Sequence, residues 1–197
     1  MSAVARVADG VSPPAVLVLG DSLSAAFGIR VEQGWVALMQ ARLRAKGYGH
    51  RVVNASSSGE TTGGALARLP RALATHRPAV VIVELGGNDG LRGLPVRDIR
   101  SNLETIVQRS RQSGAQVLLV GMRIPPNYGA PYTTQFHELF GEIARQQRVP
   151  LVPFFLERIA LDDSLMQDDG IHPTAAAQPI LLDAVWPRLE PLLRTRP

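Results

Sequence analysis

The chain reads as an α/β protein built on a parallel sheet of five strands covered by helices on both faces. Three observations predict this. Short uncharged apolar runs recur along the chain, stretches with apolar residues three and four apart lie between them, and polar, glycine-containing loops follow three of the runs directly. Strands buried on both faces carry consecutive apolar residues rather than alternating ones, and 79–85, apolar and β-branched but for Glu84, is the clearest case.

The first run, 15–19, leads into Gly20-Asp21-Ser22. From 24 to about 46, Trp35, Leu38, Met39 and Leu43 fall at helical spacing until Gly47 and Gly49 stop the helix. Ser22 is therefore expected at a strand-to-helix turn, with the following N–H groups facing any negative charge beside its hydroxyl. A second strand, 51–54, precedes the small polar loop 55–62 and a helix from about 64 to 76. The central strand 79–85 ends at Gly86-Gly87-Asn88-Asp89-Gly90. A helix at about 96–113, a strand at 116–120, a proline-rich loop at 123–131, a helix at about 133–147 and a strand at 151–154 follow. A longer irregular section ends in Asp169-Gly170-Ile171-His172-Pro173. A last helix, about 174–193, is expected to be interrupted near Pro179 and Pro187. Residues 1–14, with a lone Arg6 and a Ser12-Pro13-Pro14 ending, read as a flexible tail, and 15–197 as one domain.

Composition narrows the function. Without cysteine there is no disulfide scaffold and no cysteine nucleophile. The net charge of +4 rests on scattered arginines, Lys46 being the only lysine, and aromatic residues make up 5%, so a contiguous basic, aromatic-studded surface for nucleic acid is not expected. No run reaches membrane-spanning length. Asp168, Asp169 and His172 lack the second histidine or carboxylate cluster that a closed metal site would require, so no metal or other cofactor is expected.

In a parallel sheet, ligands bind beyond the carboxyl ends of the strands, so loops 20–24, 54–60 and 86–90 should converge. Together with the turn at 169–173 they offer candidates for the parts of an acyl-transfer site. Ser22 supplies a nucleophile, His172 a base, and Asp169, three residues before it, a carboxylate for the base's second nitrogen. The N–H groups of Ser22 and Gly59 and the amide of Asn88 supply donors for an oxyanion. Each residue also has an ordinary structural explanation: Ser22 as a helix cap, Gly59 and Gly170 as turn glycines, Asn88 as a strand terminator. His50, His76 and His137 read as surface residues.

Gly20-Asp21-Ser22-Leu23, Gly59 after Asn54-Ala55-Ser56, Gly86-Gly87-Asn88-Asp89 and Asp169-Gly170-Ile171-His172-Pro173 resemble, in order, the four blocks of the GDSL or SGNH hydrolase family. The stretch 83–93 and the stretch 166–173 are similar to its bacterial thioesterase I, protease I, lysophospholipase L1 and arylesterase group. The resemblance implies a three-layer α/β/α, flavodoxin-like fold, Ser22, Asp169 and His172 as triad, and Ser22, Gly59 and Asn88 as oxyanion hole. It also implies a mobile substrate-sensing loop, including Asp89, Gly90, Leu91 and Arg92, and an acyl crevice including Met122, Arg123 and Pro125. Gly90 and Gly93 are expected to hinge that loop over an acyl chain.

The expected activity is hydrolysis of small-molecule carboxylic esters and acyl thioesters through an acyl-enzyme. Carbohydrate deacetylation within the family, phosphoryl transfer through Asp21 and a non-catalytic flavodoxin-like binding module are the alternatives. A monomer is slightly favoured. The group usually carries an export leader, so the expectation is a soluble protein, periplasmic if a leader was removed and otherwise cytoplasmic.

Overall fold

The computed structural model describes residues 13–194. Most of the expected tail lies outside these residues; Pro13 and Pro14, which are described, are exposed. Five parallel strands form the sheet: β1 (Ala15–Gly20), β2 (Arg51–Asn54), β3 (Pro78–Glu84), β4 (Gln116–Val120) and β5 (Leu151–Val152), in the order β2-β1-β3-β4-β5. This is the flavodoxin-like order, and its strand sequence reverses direction between β1 and β3. Every residue of β1 is buried, and β3 is buried except at Ala79, which accounts for their unbroken apolar sequences.

Helices cover both faces. On one side α1 (Trp35–Ala45) packs against α6 (Gln178–Arg194); on the other α2 (Thr62–His76) meets α4 (Val96–Gln112), which meets α5 (Ala130–Gln147). A further short helix, α3 (Gly87–Leu91), follows β3 directly, where the sequence reading placed only a loop. The core runs through the sheet into both helical layers, with Trp35, Met39 and Leu43 on one side and Leu69, Leu103, Phe136 and Phe140 on the other.

Two helical expectations need correction. No helix begins at Ser24: residues 22–28 form consecutive turns, a 3-10 turn follows at Val31–Gln33, and α1 starts only at Trp35. The physical reason is local. The Asp21 carboxylate captures the Leu23 N–H at 3.0 Å, and Ala26 and Gly28 both take left-handed conformations (φ 62° and 73°), which ends helical propagation. In the other direction, α6 continues without interruption through Pro187 and Pro191. The burial of Leu181, Leu182, Val185, Trp186, Leu189 and Leu193 holds it together despite the lost backbone donors.

The start of α1 has no cap from its own segment. Instead the Trp35 N–H donates to Oε1 of Gln178 at the start of α6, at 3.0 Å, and Gln178 is buried. This couples the first long helix to the last. Gln178→Leu removes the acceptor and leaves a buried amide unpaired, so urea denaturation should show a loss of about 1–3 kcal/mol with an unchanged m-value.

Candidate active site

The carboxyl ends of β1 and β3 lie side by side, with Gly20 paired to Glu84. Around this point the three loops meet. Ser57 N–H donates to the Gly20 carbonyl at 3.1 Å, and the Asn88 amide donates to Asp21 Oδ2 at 3.1 Å. The Arg92 guanidinium donates to the Gly59 carbonyl at 3.0 Å.

Ser22 stands at the mouth of this junction. Its Oγ lies 2.9 Å from Nε2 of His172, and Nδ1 of His172 lies 2.6 Å from Oδ2 of Asp169. The second oxygen of Asp169 accepts the backbone N–H groups of Ile171 and His172, each at 2.9 Å, so one carboxylate both shapes the turn and orients the ring. The His172 backbone N–H, then its ring, hold the Asp169 carboxyl down to about 2. Asp168, its neighbour, is exposed. Phe27 covers the imidazole from the other side, with ring centroids 4.3 Å apart.

Among the described residues no acceptor takes the N–H of Ser22 or of Gly59. The Asn88 amide has two N–H bonds, and Asp21 occupies one of them. These are the donors named from the sequence. Because turns rather than a helix follow Ser22, the expected contribution of a helix N-terminus there is absent.

Sequence reasoning missed Glu84. It is fully buried at the end of the central strand; its Oε2 accepts Ser24 Oγ at 2.6 Å and the Asp21 N–H at 3.4 Å, while no donor reaches its Oε1. Burial, and then the Asp21 charge, push the Glu84 carboxyl well above its usual range. Burial also raises Asp21 to about 6. Both carboxyls therefore keep their protons to higher pH in the folded chain than they would in water. The signal available in the sequence was a lone carboxylate closing an otherwise apolar β-branched run.

The substrate-binding residues implied by resemblance divide. Asp89 is buried, and its carboxylate accepts the N–H of Thr62 at 2.9 Å and its hydroxyl at 2.6 Å, at the start of α2; this occupies the side chain expected to meet substrate. Met122 is likewise buried in the core. Leu91, Arg92, Arg123 and Pro125 reach the surface; Arg123 lies over Phe154 and contacts His137 at 3.2 Å. Nor is Gly90 a hinge in open space: a Cβ there would stand 2.7 Å from Ile124 Cγ2 and 2.9 Å from the Phe136 ring. The segment after it is pinned, since the hydroxyls of Tyr128 and Tyr132 donate to the carbonyls of Leu91 and Leu94 at 2.8 and 2.6 Å. Among the described residues no helix is long and apolar enough to cross a membrane.

A serine in line with a histidine and a carboxylate, at the reversal point of a doubly wound parallel sheet, marks a serine hydrolase. Residues 18–179 match the model of the GDSL-like Lipase/Acylhydrolase family, and the chain belongs to that family. It is 54% identical to Esterase TesA of Pseudomonas aeruginosa over 90% of this chain and 89% of that protein. Its identity to Thioesterase 1/protease 1/lysophospholipase L1 of Escherichia coli K12 is 43% over 90% of this chain and 84% of that one. The crystal structure of a psychrotrophic esterase, EstA, from Pseudoalteromonas sp., inhibited by monoethylphosphonate, superposes with a TM-score of 0.87 at 41% identity, covering 92% of this chain and 99% of that one.

The raised acids have a measurable effect on stability. Below 3.8, the ordinary value for Asp21, both the folded and unfolded chains keep its proton. From there to about 6 the unfolded chain ionises while the folded pair does not, so stability falls as pH rises, and Glu84 extends the fall further. Asp169 acts oppositely but lower, losing its contribution only as pH drops from 3.8 toward about 2. Half-buried His50, held by that burial below its ordinary 6.5, opposes this fall at lower pH. The test is therefore a difference: between pH 4 and 8 the Tm of wild type minus that of Glu84→Gln, which keeps the shape of the protonated acid, should decline as pH rises.

Proposed function

We propose that the protein hydrolyses carboxylic esters and acyl thioesters through an acyl-enzyme on Ser22. The hydrogen-bonded series Ser22–His172–Asp169 carries this reading, and the names of its relatives, Esterase TesA and Thioesterase 1/protease 1/lysophospholipase L1, support the substrate class.

In the first half-reaction Ser22 Oγ attacks the acyl carbon while its proton passes to His172 Nε2. Asp169 keeps the other ring proton on Nδ1 and stabilises the imidazolium. The carbonyl oxygen becomes an oxyanion before the N–H groups of Ser22 and Gly59 and the amide of Asn88, where one such donor is worth about 3–4 kcal/mol. Collapse expels the alcohol or thiol, which takes the proton from Nε2. Water then attacks the acyl-serine with His172 again as base, releasing the acid and restoring the hydroxyl. Phosphoryl transfer through Asp21 is disfavoured, because both of its oxygens already accept hydrogen bonds from Leu23 and Asn88 and the group is buried.

A panel of nitrophenyl esters, acyl-CoA and lysophospholipid tests the reading. Ser22→Ala and His172→Ala should each remove nearly all turnover, and the double variant should lose little more, because the members act as a unit. A serine-directed phosphonate should add its mass to Ser22 and to no other residue. An active Ser22→Ala protein would refute the mechanism.

The adjacent acids provide a sharper contrast. Asp169→Asn should lower kcat by roughly 10⁴-fold through loss of the charge and tautomer control behind His172. Asp168→Asn, whose side chain is exposed beside the turn, should leave kcat close to wild type.

A further inference from the structure

The loop that carries His172 and the turn that carries Ser22 come from distant parts of the chain, yet their reacting atoms lie 2.9 Å apart. A hydrogen bond of that length between two small side chains does not by itself hold two irregular segments in register. The Gln167 side chain joins them. Its amide Nε2 donates to the Phe27 carbonyl at 2.8 Å and to the Pro173 carbonyl at 3.0 Å, which uses both N–H bonds, one on each segment.

Each end of this bridge connects directly to a reacting residue. On the serine side, the Phe27 N–H donates to the Ser22 carbonyl at 3.1 Å, closing the turn that begins at the nucleophile. On the histidine side, the Gln167 N–H donates to the His172 carbonyl at 2.7 Å, and its own carbonyl accepts the Gly170 N–H at 2.9 Å. The Phe27 ring, set by the same turn, lies against the His172 ring. The fit is close on the far side as well: a Cβ on Gly28 would stand 2.0 Å from Gln167 Oε1, so the side chain occupies space that only glycine leaves open.

We propose that Gln167 is a positioning residue that latches the His172 loop onto the Ser22 turn and so sets the alignment of nucleophile and base. The proposal rests on the reading of Ser22 and His172 as nucleophile and base. Gln167 touches neither reacting atom and acts through the backbone of Phe27 and Pro173. Glutamate has nearly the same shape but would put an acceptor oxygen in place of the Nε2 donor, facing both carbonyls, so the latch requires an amide.

The test compares Gln167→Ala, Gln167→Glu and Ser22→Ala with the wild type. A lost latch should reduce kcat about 10- to 100-fold, the scale of a misplacement near 1 Å, with KM within about twofold. Phosphonate labelling of Ser22 should slow in step with kcat. Tm should change by only a few degrees, and the downfield proton resonance of the His172–Asp169 hydrogen bond should persist, because that bond lies wholly within the histidine loop. Wild-type kcat in Gln167→Glu, with Ser22→Ala inactive, would overturn the latch. So would a loss that merely follows unfolding, or a rise in KM at constant kcat. Activity retained in Ser22→Ala would instead overturn the reading of the site on which the proposal rests.

Discussion

The close approach of Gly20 to Glu84 is the constraint on which the site depends. Parallel pairing brings the ends of β1 and β3 level, and the Glu84 carboxyl then occupies the position where a side chain on Gly20 would begin: a Cβ there would lie 2.8 Å from Oε2. Only glycine permits this contact. Through it a buried acid reaches the Asp21 N–H and the Ser24 hydroxyl, so the backbone entering and leaving Ser22 is held from beneath. The strand order supplies the rest. At the β1/β3 reversal the following helices diverge to opposite faces of the sheet, α1 to one and α4 to the other, and Ser22 lies where they part.

Asp21 transmits this arrangement outward. One of its oxygens takes the Leu23 N–H and the other takes an N–H of Asn88, so a single buried carboxylate orients both the turn of the proposed nucleophile and the proposed side-chain oxyanion donor. Two buried acids at this point would repel strongly if both were ionised. The raised affinity of both carboxyls for protons limits that repulsion, and together they accept hydrogen bonds from four groups. Part of the native stability at neutral pH is given up for a fixed geometry above it.

Much of this was legible in the sequence because it depends on local patterns. The five strands follow from apolar runs, and their parallel arrangement from the helices between them; Ser22, Gly59, Asn88, Asp169 and His172 stand out because polar residues and glycines cluster where those strands end. What escaped depends on partners distant in the chain. Glu84 passed as part of the central strand, and its role emerges only once Ser24 and Asp21 are placed against it. Asp89 resembled a loop residue facing substrate, whereas the N-terminus of α2, 27 residues earlier in the chain, takes up its carboxylate. Gly90 suggested a hinge because glycine permits motion, but here its missing side chain makes room for Ile124 and Phe136. The premature start assigned to α1 has the same origin: helical spacing was present, but the Asp21 capture of Leu23 and the left-handed backbone at Ala26 and Gly28 opposed it.

The 150-residue separation between Ser22 and His172 has a consequence for synthesis on the ribosome. A nascent chain that has emerged only as far as β5 holds the proposed nucleophile Ser22, Gly59, Asn88 and all five strands, but not the proposed base His172. It also lacks α6, and with it the Gln178 acceptor that completes the start of α1. The proposed acyl transfer therefore requires the C-terminal segment, which carries Asp169 and His172, to be in place against the Ser22 turn.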